Sequence, residues 1–185
     1  TSYNEGDTAV FTLTTANVSL NSTGTANGTI GVTGSGTSYT VSITGITGNG
    51  TLRIAIASGT ATDLAGNSAP AATAGTTFTV DNTAPAVTIS APSTAITAAG
   101  PAAYTVTYAD DNFSASTLVA ADVTLIPSGT AAGTVSVAGA GNTRTVTISG
   151  ITGNGTLAIS LASGTASDLA GNLAAGAGPS ASFTA

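Results

Sequence analysis

Residues 148–185 read ISGITGNGTLAISLASGTASDLAGNLAAGAGPSASFTA, and residues 43–80 read ITGITGNGTLRIAIASGTATDLAGNSAPAATAGTTFTV. The second stretch lies 105 residues after the first, and the two align without a gap. The phrases GITGNGTL and DLAGN are identical in both. A period of this size is one small domain, well above the roughly 20–50 residues of a solenoid unit. The offset persists upstream: VSLNSTGTANGT (18–29) matches VTLIPSGTAAGT (123–134), and TSY (1–3) falls on VTY (106–108).

The second copy is the fuller one, and its strands can be read by period-2 alternation. Val87 and Ile89 mark a first strand; Tyr104, Val106 and Tyr108 a second; Val123 and Leu125 a third. The stretch ADDNFSASTLVAAD reads as a loop between the last two. Val135 and Val137, then Arg144, Val146 and Ile148, give two more strands across a Gly-rich turn. Leu157, Ile159 and Leu161 follow GITGNG as the main core strand, and Phe183 marks the last. Seven short strands in about 100 residues predict an immunoglobulin-like β-sandwich. The fold class is therefore all-β, two such sandwiches in tandem, over 1–82 and 83–185. By parity, Leu52, Ile54, Ile56 and Phe78 of the first copy are core residues like Leu157, Ile159, Leu161 and Phe183. Arg53 falls on the outward face of its strand. TVDNTAPAVTIS (79–90) joins the copies, and its proline stiffens the connection.

Counted by the offset, the chain opens part-way through a repeat. The first copy lacks its first strand and most of its second. Three accounts stand open: the chain is a window on a longer repetitive protein; a neighbouring subunit donates the strand; or AVFTLTT (9–15) serves as the second strand. A bare core edge invites aggregation, so something must cover it.

Composition narrows the chemistry. The chain has no Lys, His, Cys, Met or Trp, two Arg, and eight acids, for a net charge of −6. Almost nothing neutralises phosphates or anionic lipid, so nucleic acid and membrane surfaces are excluded as partners. No stretch has the length and apolarity of a membrane span, and no signal peptide is evident. Without His or Cys, only oxygen donors remain for a metal, which must then be hard, such as calcium.

The acids are Glu5, Asp7, Asp63, Asp81, Asp110, Asp111, Asp122 and Asp168. In an immunoglobulin-like topology, Asp81 and Asn82 of the connector meet the loop holding Asp110, Asp111 and Asn112, and the DLAGN loop holding Asp168. These residues are the candidate calcium ligands, with Asn82 and Asn112 the weaker. Glu5, Asp7 and Asp63 occupy the equivalent end of the first copy. The opposing reading is plain solvated loops, with DLAGN a turn in which Asp and Asn cap their own backbone and Gly takes positive φ. Asp122 reads as a local cap.

The succession A(T/S)DLAGN, FTVDNTAP and VTI resembles the tandem bacterial immunoglobulin-like repeats of giant secreted adhesins and repetitive surface proteins. The resemblance implies an exported β-sandwich stalk whose partners are neighbouring repeats or identical subunits. It also implies calcium at domain junctions, carried by Asp81, Asp168 and, with less sequence support, Asp110 and Asp111. The expected function is a non-enzymatic, extracellular repeat that sets length and stiffness. The alternative is a self-assembling filament or sheath subunit completed by strand donation. An enzyme is disfavoured because His, Cys and Lys are absent and the only dense carboxylates lie at loop tips near the connector, although a glycosidase pair stays open on residue type. A glycan platform is disfavoured because Tyr104 and Tyr108 fall at inward parity. The Thr143, Thr145 and Thr147 row, which suits an ice-binding face, is also ordinary on solvated strands.

Overall fold

The computed structural model describes residues 10–185 and is all-β, with two single-turn 3-10 segments as its only helical elements among them. It divides into two compact units, one ending at Asn82 and one spanning Thr83–Ala185. No helix among the described residues is long and apolar enough to cross a membrane.

The first unit contains β1 (Val10–Phe11), β2 (Val18–Ser22), β3 (Asn27–Ser35), β4 (Ser38–Thr47), β5 (Gly50–Ile56), β6 (Ala61–Thr62) and β7 (Phe78–Val80). β5 lies between β2 and β7, β3 pairs with β4, and β1 pairs with β6. The second unit contains β8 (Ala86–Ile89), β9 (Ala102–Ala109), β10 (Phe113–Ser116), β11 (Val123–Pro127), β12 (Ala132–Ala138), β13 (Thr143–Thr152), β14 (Thr156–Leu161), β15 (Ala166–Asp168) and β16 (Phe183–Thr184). One sheet runs β12-β13-β9-β8, a second β11-β14-β16, and β10 pairs with β15.

The strands recur at the sequence offset. β2 and β11 begin 105 residues apart, as do β3 and β12, and β4 and β13. Registers recur too: Val18 faces Ile56 as Val123 faces Leu161. A bulge interrupts β3 between Asn27 and Thr29, and β12 between Ala132 and Thr134.

Alternation places the core of the second unit. On β9, Ala102, Tyr104, Val106 and Tyr108 are fully buried, and the threonines between them are not. They join Val146 and Ile148 of β13, Leu157, Ile159 and Leu161 of β14, and Phe183 of β16 in one cluster drawn from both larger sheets. The Tyr104 hydroxyl donates to the carbonyl of Ala181 at 2.9 Å, so its one polar atom is satisfied inside the core. Arg144 lies at the inward parity of β13, and its guanidinium donates to the carbonyls of Ser116 and Leu118.

The repeated GITGNG forms the turn from β4 to β5 and from β13 to β14. Gly48 and Gly153 both have φ of 75°. A Cβ on Gly153 would be driven into the carbonyl of Thr130, and one on Gly48 into that of Thr25. Both the backbone conformation and the close approach therefore demand glycine.

Three expectations need correction. AVFTLTT does not act as the second strand: Val10 and Phe11 pair with Thr62 and Ala61 of β6, the place that β10 takes against β15. ADDNFSASTLVAAD is not all loop, because Phe113–Ser116 is a strand. In the first unit, the predicted core is only partly formed. Leu52 is fully buried, Ile54 and Ile56 are half-buried, and Phe78 is 41% exposed where Phe183 is 1% exposed. The described residues supply no counterpart of β8 or β9 to cover this face. TSY (1–3) lies outside the described residues.

Two substitution pairs check this reading. Phe183→Ala is expected to cost about 3–5 kcal/mol, and Phe78→Ala well under half of that, in denaturant melts. Gly153→Ala is expected to cost about 3 kcal/mol or more, whereas Gly141→Ala (φ 70°, with open space for a Cβ) should cost ~1 kcal/mol.

Candidate functional site

The pairing of β10 with β15 builds the acidic end of the second unit. Phe113 faces Asp168 across the two strands. This brings the Asp110–Asn112 turn, just before Phe113, beside DLAGN, which starts at Asp168. The Leu169 N–H donates to the carbonyl of Asn112 at 2.8 Å and holds the two turns together. Tyr108 and Phe113 stack beneath, with ring centroids 6.2 Å apart.

Within this end, a carboxylate oxygen of Asp110 lies within 4.8 Å of one of Asp168. Asp110 is half-buried and accepts the Asn112 N–H at 2.7 Å. Asp168 is buried. Its Oδ1 accepts the Asn172 N–H at 2.8 Å, and its Oδ2 accepts the Asn172 side-chain amide at 2.7 Å. Gly171, at φ 92°, turns the chain back so that Asn172 can reach. DLAGN is thus a loop closed by its own first and last residues. The Asn172 amide also approaches the Thr83 carbonyl at 3.4 Å, which places the start of the second unit at this loop. Asp111 is exposed and stands apart from the Asp110–Asp168 pair.

Asp81 and Asn82 belong to the first unit. Asp81 follows β7 and is half-buried. Asn82 is anchored locally: its N–H donates to Asn49 Oδ1 and its side-chain amide to the Gly48 carbonyl, both at 2.6 Å. The GITGNG turn therefore also grips the end of its own unit. Asp63 repeats the closed loop of Asp168, accepting from Ala65, from the Asn67 N–H and from the Asn67 amide, each at 2.9 Å. Unlike Asp168, it is exposed. Glu5 and Asp7 lie outside the described residues. Asp122 accepts the Val119 N–H at 2.9 Å, a local cap.

These contacts set the titration of the two loop carboxyls. Burial raises the Asp168 pKa, but the Asn172 amide, the Asn172 N–H and the N–H groups of Gly171 and Ala170 outweigh it, and the net shift is downward from 3.8. For Asp63 the Asn67 side chain is the largest cause, followed by the Asn67 N–H, and the net shift is again downward. The donor set is all oxygen, which fits a hard cation and no soft one.

Strand alternation alone did not reveal that β10 and β15 pair, because FSAS and ASD lack a branched or aromatic rhythm. The one signal was Phe113, an aromatic in an otherwise polar stretch. Comparison with protein-family models, curated proteins and solved structures returns no match to this chain.

Because both loop carboxyls are bound in their ionised form, their stabilisation is complete above the unfolded value near 3.8 and is lost as pH falls through the lower folded value. In calcium-free buffer, melting temperature is expected to stay level from about pH 8 to 5 and to drop below about 4. Asp63→Asn should lower it at pH 7 and shrink the acid-dependent drop, as followed by circular dichroism.

Proposed function

We propose that this chain is a non-enzymatic structural repeat of an extracellular surface adhesin or stalk, each copy an immunoglobulin-like sandwich that sets length and stiffness. The observation that carries the reading is recurrence. The same strands, registers, glycine-demanding turns and self-closed DLAGN loops return 105 residues apart. The reading is supported by the sheet orders β12-β13-β9-β8 and β11-β14-β16, a four-plus-three set like that of a seven-stranded immunoglobulin-type domain, beside the short β10-β15 pair. The absence of His, Cys and Lys from the sequence supports a role without covalent chemistry. The resemblance of DLAGN and DNTAP to bacterial surface repeats supports export.

Calcium is part of this proposal. Asp110 and Asp168 each offer one carboxylate oxygen to a single hard cation, and the sequence reading adds Asp81 from the connector. Asp81 precedes Thr83 by two residues, so chain connectivity keeps its Cα within about 7.6 Å of that of Thr83. Asn172, which closes the Asp168 loop, approaches the Thr83 carbonyl. When bound, the ion neutralises the like charges of the carboxylates and ties the incoming chain to the loop. The closed DLAGN loop serves as a preformed wall for such a site, because Asn172 already orients both Asp168 oxygens.

The expected affinity is that of extracellular modules, a Kd of about 10⁻⁴–10⁻³ M. Tenfold excess calcium over Kd then stabilises by about 1.4 kcal/mol. Isothermal titration should show one site per chain, weakened at least tenfold by Asp110→Asn, with Asp111→Asn close to the parent protein. Absence of binding heat, together with identical melts in calcium and chelator, would remove calcium from the proposal and leave the structural-repeat reading standing.

A further inference from the structure

The second unit, Thr83–Ala185, is described without a gap, and most of its edge strands are blunted. β8 is four residues long and follows Pro85. β11 ends in Pro127. β16 is two residues long, and its Thr184 is bridged to Ile96. In the β10–β15 pair, β10 is four residues long behind Asp110 and Asp111, and Ser167 of β15 is bridged to Leu173. Shortness, charge, proline and covering segments are the devices that keep an edge from pairing with another chain.

β12 is built differently. It ends its sheet, with β13 on one side and no strand on the other among the described residues. It is seven residues long, AGTVSVA, without charge or proline. Its one bulge lies at the start, and Thr134–Ala138 runs in regular register with β13. Val135 and Val137 pack against the core but are only half-buried, while Thr134, Ser136 and Ala138 are exposed. Charge is kept away from this edge. Of the eight acids none falls between Asp122 and Asp168, and Arg144 is the one charged residue in that span. Its guanidinium is engaged by the Ser116 and Leu118 carbonyls. A chain of net charge −6 thus presents an edge strand at which a like-charged copy meets no acid. The equivalent strand of the first copy, NGTIGVTGS, also lacks charge and proline.

The strand is also its own complement. An antiparallel partner centred on Ser136 sets Val135 opposite Val137 of the second copy and Thr134 opposite Ala138. Valines then meet on the core side, and small residues meet on the solvent side with Ser136 facing itself. We infer that the outer edge of β12 is a pairing site for β12 of a second copy of this chain, related by a two-fold axis that joins the two four-stranded sheets into one. The inference goes beyond the stalk reading, because it concerns how two chains associate laterally, and it needs neither calcium nor the first unit.

Charge substitutions at Ser136 test it in the full chain, by sedimentation velocity from about 10⁻⁵ to about 10⁻³ M. The parent chain should pass from monomer to dimer with a Kd on the order of 10⁻⁴ M, as suits a small interface. Because Ser136 meets itself, Ser136→Lys and Ser136→Glu should each weaken the dimer by about tenfold or more through like-charge contact. An equimolar mixture of the two should restore it through a Lys–Glu pair. Thr88→Lys, on the opposite edge of the same sheet, should dimerise like the parent. A parent that stays monomeric across the range, a Ser136→Lys variant no weaker than Thr88→Lys, or a mixture no tighter than either variant alone would each overturn the inference.

Discussion

Coverage of the long edge strand governs this molecule. Where β9 lies against β13, four side chains of alternating parity reach zero exposure, the Tyr104 hydroxyl finds a carbonyl, and sixteen buried residues join in one cluster. Where the described residues offer β4 no such neighbour, the same sequence pattern buries only Ala26, Leu52 and Val80 as a cluster. Among the described residues, nearly identical strands thus carry a full core in one unit and a smaller one in the other. Burial is a property of the pair, and parity alone says only which way a side chain points.

The glycine phrases act differently from the core. Gly48 and Gly153 do not bury area; they let one backbone approach another so closely that no side chain fits between. That constraint is local and independent of β9, which explains why GITGNG takes the same shape in both units although their cores differ. The DLAGN loops are likewise local, closed by an Asp–Asn pair whether exposed, as at Asp63, or buried, as at Asp168.

Much of the fold is therefore legible in the sequence alone. The strands around Val87, Tyr104, Val123, Val135, Val146, Leu157 and Phe183 all lie where alternation places them. The failures share a cause. Phe113–Ser116 escapes strand alternation because it is held by pairing with Ala166–Asp168, a long-range contact with little local rhythm. Phe78 has the local pattern of its buried equivalent Phe183, yet it is exposed, and no local pattern reports how well a side chain is covered by distant strands. Of the candidate ligands, Asp110 and Asp168 do lie together, and Asp111 faces solvent. That Asn172 already engages both Asp168 oxygens needed geometry, although the spacing within DLAGN carried the hint.

The two arginines have a use beyond charge. Arg53 lies in β5, the central strand of its sheet, and Arg144 in β13, flanked by β12 and β9. There is no lysine. Trypsin therefore has one cleavage point in each unit, and each lies inside a paired strand that must open before the protease can bind it. Cleavage at Arg53 measures opening of the first unit, and cleavage at Arg144 that of the second. The sequence thus carries its own pair of unfolding gauges, one per repeat, readable on a gel without any label.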